Sequence, residues 1–313
     1  MYNQVLHDHL DGGLRTSTAK ELAKQINYKP INDVEDIANF FDRSSSTSLE
    51  DYLEAFTHTI ALMQTYSSLE QIAYEAAVDM HHNNINFYES RYAPFYSVND
   101  TLSPRDVIRA INSGFKQAER EFGIVSGLIL CGMRHDPENV KAVAELAIEN
   151  KEIIIGFDIA GPELNYLPSM YKDSFLKVKN EGINITIHAG EGDGVHSIQE
   201  ALDNGAKRIG HGVRIIEDIS DDNKLGPTAD YVLQNNIPLE VCITSNLHTN
   251  MYKNPKEHPI SRLHNLEFNI SLNTDNRLMS NTNINKELKI AKEAGVENPT
   301  TLLKYSASDS FLN

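Results

Sequence analysis

The stretch VLHDHLDGG at residues 5–13 carries two histidines in an H-x-H pair, with Asp8 between them and Asp11 just beyond. On an extended strand alternate side chains share a face, so His7 and His9 point the same way and make half of a metal site. Alone, the pair is better read as solvated or as satisfied in a core. The other candidates give it weight. ITIHAGEGDG supplies His188 and Glu191, RIGHGV supplies His211, FDIAGPE supplies Asp158 and Gly161, and SLNTDNR supplies Asp275 and Asn276. Each follows a short apolar or β-branched run, at the end of a candidate strand. Singly, His188 is readable as a structural core histidine, His211 as a loop residue and Asp275 as a turn or helix cap. Jointly, those readings demand independent accidents on one face. Three histidines with one carboxylate form a borderline-hard donor set that suits zinc.

Such residues meet only if the strands that carry them converge. Apolar or β-branched runs at 4–9, 85–92, 124–131, 153–159, 183–189, 208–213, 238–244 and 268–274 are candidate strands. Helical spacing separates them. Val140, Val143, Ala144 and Ala147 recur at i, i+3, i+4, i+7 within 137–150, behind Pro137. Ile108, Ile111, Phe115 and Ala118 share one face of 104–121, behind Pro104. Strand then helix, repeated, predicts an α/β fold: a parallel (β/α)8 TIM barrel, whose chemistry sits at the C-terminal ends of the strands. We expect one catalytic barrel domain over 1–313 with a helical insertion at about 14–84. A doubly wound open sheet is the alternative. Its dinucleotide form wants G-x-G-x-x-G after the first strand, and HLDGGLR does not match. The insertion has room for at least two helices, with capping signatures at Ser48/Asp51 and Ser67/Glu70 and with Phe56, Ile60 and Met63 on one face. It either packs on the barrel as an added layer or covers its mouth.

Composition narrows the class. A net charge of −16 over 313 residues favours solubility and argues against a nucleic-acid or anionic-membrane surface. Cys131 and Cys242 allow at most one bridge, which excludes a disulfide scaffold and fits a reducing cytoplasm. MYNQVLHDHL has neither the basic nor the apolar region of a signal peptide, and no apolar run is long enough to span a bilayer. A cytoplasmic location is the expectation.

The motifs HDHLDG, FDIAG, HAGE, GHG, TSN and NTDN, in this order at these strand ends, resemble the adenosine deaminase family within the amidohydrolase-type barrels. The likeness runs from residue 5 to about 279. It implies an enzyme of purine metabolism that hydrolyses adenosine and 2′-deoxyadenosine to the inosine nucleoside and ammonia, with one Zn2+ per chain. By that resemblance His7, His9, His188 and Asp275 would bind the zinc. Glu191 would give a proton to purine N1, and His211 would orient the attacking hydroxide. His9, Asp11, Gly161 and Asn276 would border the substrate, with Asp11 at the ribose 5′-hydroxyl and the Gly161 backbone at the base. Many members carry two consecutive aspartates where this chain has Asp275-Asn276. The second meets N7, an acceptor, and the Asn276 amide donates there without needing a proton. For Glu191 to carry a proton at neutral pH, burial must raise its pKa against any nearby cation. We expect burial to win only once substrate fills the site.

Other readings are weaker. Dinuclear amidohydrolases use a lysine at the end of strand four, and IIIGFDIAG has none. A deaminase of a related 6-aminopurine such as adenine is the functional alternative, although adenine enzymes of this type tend to carry Glu where Asp11 stands. An AMP enzyme would want cations where Asp11 would repel phosphate. A binding protein without turnover would not need Glu191. HAGEGDG resembles a phosphate loop, but Glu191 and Asp193 would repel phosphate. His81 and His82 close a helix. His58, His135, His196, His248, His258 and His264 read as surface or structural. Arg91 reads as an ion-pair partner of Glu89, and Ser245 and Asn246 as supports behind the metal ligands.

Overall fold

The computed structural model describes residues 2–312, leaving aside the side chain of Glu50. Eight parallel strands follow one another around a barrel in sequence order. They are β1 (Gln4–Val5), β2 (Phe87–Tyr92), β3 (Val125–Met133), β4 (Gly156–Ala160), β5 (Asn184–Ala189), β6 (Arg208–His211), β7 (Leu239–Val241) and β8 (Ile270–Leu272). The order bears out the (β/α)8 expectation. The helices before β2 are α1 (Thr16–Gln25), α2 (Lys29–Asn32), α3 (Ile37–Phe41), α4 (Leu49–Leu53), α5 (Phe56–Leu62) and α6 (Tyr66–His82). The later ones are α7 (Pro104–Phe122), α8 (Pro137–Glu149), α9 (Lys172–Asn180), α10 (Val195–Asp203), α11 (Pro227–Gln234), α12 (Ile243–His248), α13 (Ile260–Asn265) and α14 (Ile284–Glu293). The spacing-based expectations for α7 and α8 hold to within a residue. Ser103 and Asp136 cap them, and Gly123, at φ 74°, closes α7.

Several boundaries differ from expectation, each for a local reason. β1 is short because the amides of Leu6 and His7 bond the side-chain oxygen of Asn273, 2.7 and 3.1 Å away, instead of a strand backbone. β4 begins at Gly156 because residues 151–153 form a turn after α8. β6 ends at His211 because His211 and Gly212 both turn left-handed, at φ 59° and 67°. β7 ends at Val241, so the TSN motif lies in α12. The expected cap at Ser48 holds, its side chain accepting from the Asp51 amide. The expected Ser67/Glu70 signature is displaced: Thr65 caps α6 and forms a capping box with Ser68.

The barrel closes where the first and last strands run out. The His9 amide donates to the Asp275 carbonyl at 2.7 Å, and the Asp275 amide donates to the His7 carbonyl at 3.0 Å. The opposite edge of this segment pairs with Arg91, whose amide reaches the Asp8 carbonyl at 2.9 Å. Inside the seam the Asp8 carboxylate accepts from Tyr88, Thr274 and Arg277 at 2.5, 2.7 and 2.9 Å. The insertion divides between the two alternatives. α4 and α5 overhang the barrel mouth, whereas α6 packs along α7.

That last contact is close enough to test. A Cβ at Gly114 in α7 would fall 2.2 Å from the Glu70 carbonyl and 2.7 Å from the Tyr74 amide of α6. Alanine would gain about 1 kcal/mol of helix propensity over glycine. Overpacking against an unyielding backbone costs about 1–3 kcal/mol and dominates. Gly114→Ala therefore lowers the thermal unfolding midpoint. A raised midpoint would mean the two helices separate freely.

Candidate active site

The C-terminal ends of the strands surround a cavity of about 410 Å³, within the range of small-ligand sites. His9, Asp11, Gly161, His188, Glu191, His211, Asp275 and Asn276 line it, and His7 lies fully buried beneath it. The fold thus brings together every site residue expected from the sequence. One ligand atom from each of His7, His188, His211 and Asp275 falls within 4.8 Å of the others. His9 Nε2 joins them, 3.2 Å from His188 Nε2 and 3.5 Å from Asp275 Oδ1. His7 Nε2 also stands 3.5 Å from Asp275 Oδ1 and has no hydrogen-bond partner.

The tautomers explain why these atoms face inward. His7 donates from Nδ1 to Glu240 Oε2 at 2.8 Å, so its Nε2 presents a lone pair to the centre. His188 Nδ1 lies 2.9 Å from Asp158 Oδ2, which favours the same tautomer. Burial lowers the pKa of His188 and depresses those of His9 and His211 strongly, so these rings are neutral at neutral pH. Burial opposes ionisation of Asp275, yet His7, His9 and His211 together hold its carboxyl well below the usual carboxylate range. Inward-facing imidazole lone pairs around a buried carboxylate repel one another unless a cation lies between them. The donor set therefore fits a divalent metal.

The two carboxylates behind His7 and His188 are themselves clamped. Arg91 donates from Nη1 to Asp158 at 2.6 Å and from Nη2 to Glu240 at 2.8 Å. Glu240 also accepts from Arg208 Nε at 2.6 Å and Thr186 at 2.9 Å. Burial raises the pKa of both acids, but their buried partners outweigh it. His188 and Arg91 pull Asp158 down, and Arg91 and Arg208 pull Glu240 down. Arg91 does not pair with Glu89, as expected from their spacing. Glu89 instead takes Arg208 Nη2 at 2.7 Å and the Phe311 amide at 2.6 Å.

Glu191 sits on the loop after β5, its Oε2 3.5 Å from His211 Nε2. Glu163 holds that loop, accepting from the amides of Gly190, Glu191 and Gly192 at 2.7, 3.0 and 2.7 Å. Burial, with Asp275 and Glu163 adding, raises Glu191 well above the usual carboxylate range. Among the protein's own groups this burial is in place before substrate enters, with Glu191 8% exposed. Burial likewise raises Asp11 to about 7. Gly161 turns at φ 93°, and a Cβ there would press on Met133 and His135 at 3.2 and 3.4 Å. Gly12 has no room for a side chain because Asn276 Oδ1 occupies it, 2.1 Å from where a Cβ would fall.

Some residues were misread from sequence. His135 lines the cavity and is not merely a surface group. Glu240 and Glu163 had no assigned role. Glu240 did leave a signal: an acid inside the apolar run PLEVCIT must be buried, and a buried carboxylate needs a cation. Asn246 supports His211 and not one of the expected ligands, whereas Ser245 borders the cavity with its hydroxyl unpartnered. His58 contacts Tyr28 and Phe40, consistent with a structural role.

The family model described as adenosine deaminase matches residues 3–306. An adenosine deaminase 1 of Streptomyces coelicolor is 43% identical over 304 residues, covering 93% of this chain and 76% of that protein. An adenosine deaminase of Mycobacterium leprae is 40% identical, covering 93% and 84%. Among solved structures, an adenine deaminase from Arthrobacter aurescens superposes with a TM-score of 0.85 at 21% identity, covering 96% of this chain and 91% of that one. At that identity the likeness shows the fold alone.

Arg91 sets a stability prediction. Arg91→Met fills similar space but leaves Asp158 and Glu240 short of a buried cation. Breaking a buried ion pair from one side costs about 3–5 kcal/mol. Urea unfolding should register a loss of that order. A loss below about 1 kcal/mol would mean the carboxylates relax to other partners.

Proposed function

The chain belongs to the adenosine deaminase family, and on that footing we propose that it hydrolyses adenosine to inosine and ammonia at the barrel mouth. The observation that carries the reading is the buried meeting of His7, His9, His188 and Asp275 beside Glu191, a carboxyl group whose pKa burial raises. These four residues would hold one Zn2+. Zinc, when bound, lowers the pKa of water from 15.7 to about 7 and supplies hydroxide at neutral pH. We read His211, the fifth residue of the cluster, as an orienting group and not a ligand.

Hydroxide adds to C6 of the purine, and the ring nitrogen N1 takes a proton as the carbon becomes tetrahedral. Glu191 gives that proton. Its raised pKa keeps the proton available, and the Glu163 clamp on its loop fixes where it points. His211 donates to the attacking oxygen and holds it on one face of C6, while the ionised Asp275 takes its proton and passes it towards the departing ammonia. Water enters, ammonia leaves, and no other reactant is needed. Asn276 donates to N7, and the Gly161 backbone meets the base. Asp11 meets the ribose 5′-hydroxyl. The sugar contact is to that hydroxyl, so the reading includes 2′-deoxyadenosine. Leu49, Leu53, Phe56 and Ile60 of the overhanging helices make the apolar wall that keeps bulk water from the reacting atoms. No helix among the described residues is long and apolar enough to cross a membrane. Cys131 and Cys242 are buried free thiols, which supports a reducing compartment, and we place the protein in the cytoplasm.

Turnover of adenosine, adenine and AMP, followed by ultraviolet absorbance, tests the reading. Adenosine should be the preferred substrate, and preference for adenine or AMP would overturn it. Two variants separate the roles. Glu191→Gln keeps shape and hydrogen bonding but cannot deliver a proton, so kcat falls about 10²–10⁴-fold with zinc content and inhibitor binding retained. A fall of less than about tenfold with zinc intact would remove Glu191 as the acid. Asp11→Ala loses a hydrogen bond worth about 1.5–3 kcal/mol, so kcat/KM for adenosine drops about ten- to a hundredfold while adenine is little affected. Equal losses on both substrates would make Asp11 an aligner of the histidines instead.

A further inference from the structure

We infer that Asn246 and His258 are positioning residues that fix the proton of His211 on Nε2, where it faces the reacting atoms. A backbone group that cannot reverse its polarity sets the order. The amide of Ile260 donates to His258 Nδ1 at 3.2 Å, so that nitrogen carries the lone pair. His258 is 3% exposed, and burial pushes its pKa down to about 3, so the ring is neutral with a single proton. That proton must sit on Nε2, which lies 3.2 Å from Asn246 Oδ1 and donates to it. The Asn246 amide is thereby oriented. Its Nδ2 donates to His211 Nδ1 at 3.1 Å, with Met251 Sδ accepting from the same nitrogen at 3.5 Å. Reversing the amide would set two donors against each other at His258 and would leave the Met251 sulfur facing an oxygen. With Nδ1 of His211 used as an acceptor, the ring carries its proton on Nε2, the atom 3.5 Å from Glu191.

The consequence bears on which histidines hold the metal. His7 is locked by Glu240 with its lone pair inward, and Asp158 favours the same for His188. His211 is locked the opposite way, with an N–H inward. It can donate to an oxygen at the centre but cannot ligate a cation. The inference deepens the function proposed above and rests on it for the kinetic consequence, although not for the tautomer itself. His258 is far along the chain from His211 and reaches it only through α12, so it acts by position and touches no substrate.

Two variants reverse or erase the relay. Asn246→Asp places an acceptor opposite His211 Nδ1 and forces its proton onto that nitrogen. Asn246→Leu is of similar size and leaves either tautomer open. If Asn246 were only a packing group, the aspartate, nearly identical in shape, would be the milder change. The relay predicts the reverse order. Asn246→Asp lowers kcat by about 100-fold or more and Asn246→Leu by about tenfold, with KM within about threefold of wild type in both. Histidine 15N NMR of the wild-type protein, with and without zinc, reads the tautomer directly and needs no variant to fold. We expect a protonated Nε2 and a bare Nδ1 on His211 in wild type, and the opposite in Asn246→Asp. A wild-type Nδ1–H, or an aspartate variant at least as active as the leucine one, overturns the inference. Absence of adenosine turnover would defeat the proposed function, while the spectrum would still decide the tautomer.

Discussion

Arg91 is the constraint on which the site depends. It lies fully buried and bonds two carboxylates, Asp158 and Glu240, plus the Leu6 carbonyl. Each carboxylate faces one inward-pointing histidine. A buried acid with no cation would take up a proton and cease to hold an imidazole in one tautomer. With Arg91 between them both stay ionised, and both His7 and His188 turn a lone pair towards the same point. Arg208 completes the array from below, joining Glu240 to Glu89 and lying 3.6 Å over the ring of Phe311. The interior of the barrel is thus an alternating set of charges, dear to desolvate and justified by what it orients.

The seam between the first and last strands does a second job. It closes the barrel and also fixes the spacing of His7, His9 and Asp275, because their own backbone groups make the closing hydrogen bonds. Two site residues accept left-handed backbone: Asp275 in the seam, at φ 55°, and His211 at the end of β6, at φ 59°. Neither is glycine, and such positions cost about 1–3 kcal/mol each when the surroundings enforce them. The strain turns both side chains into the mouth.

Much of this was legible in the sequence. Strand-end placement, the H-x-H pair and the recurring helical period were enough to draw the ligand candidates to one end of a parallel barrel. The parts that escaped have physical reasons. β1 looked longer because the Asn273 side chain replaces a strand neighbour, a substitution no period reveals. Arg91 looked like the partner of Glu89 because they are two apart on one strand and so share a face. The barrel interior offered each a different partner on another strand. Glu191 is buried before substrate enters, and α4 and α5 line the same cavity, because a gap in sequence does not say which way its helices lean. His135 and His258 looked equally idle, yet one borders the cavity and the other is buried against α12.

We read the centre as one cation site with three lone-pair histidines and one aspartate, and a fourth histidine turned to donate. A zinc-edge anomalous difference map from crystals of the zinc-loaded protein addresses that claim directly. It should show one peak at about 2.0–2.2 Å from Nε2 of His7, His9 and His188 and from Asp275 Oδ1, with His211 Nε2 beyond bonding distance. A peak bonded to His211 in place of His9, or no peak at this centre, would contradict it.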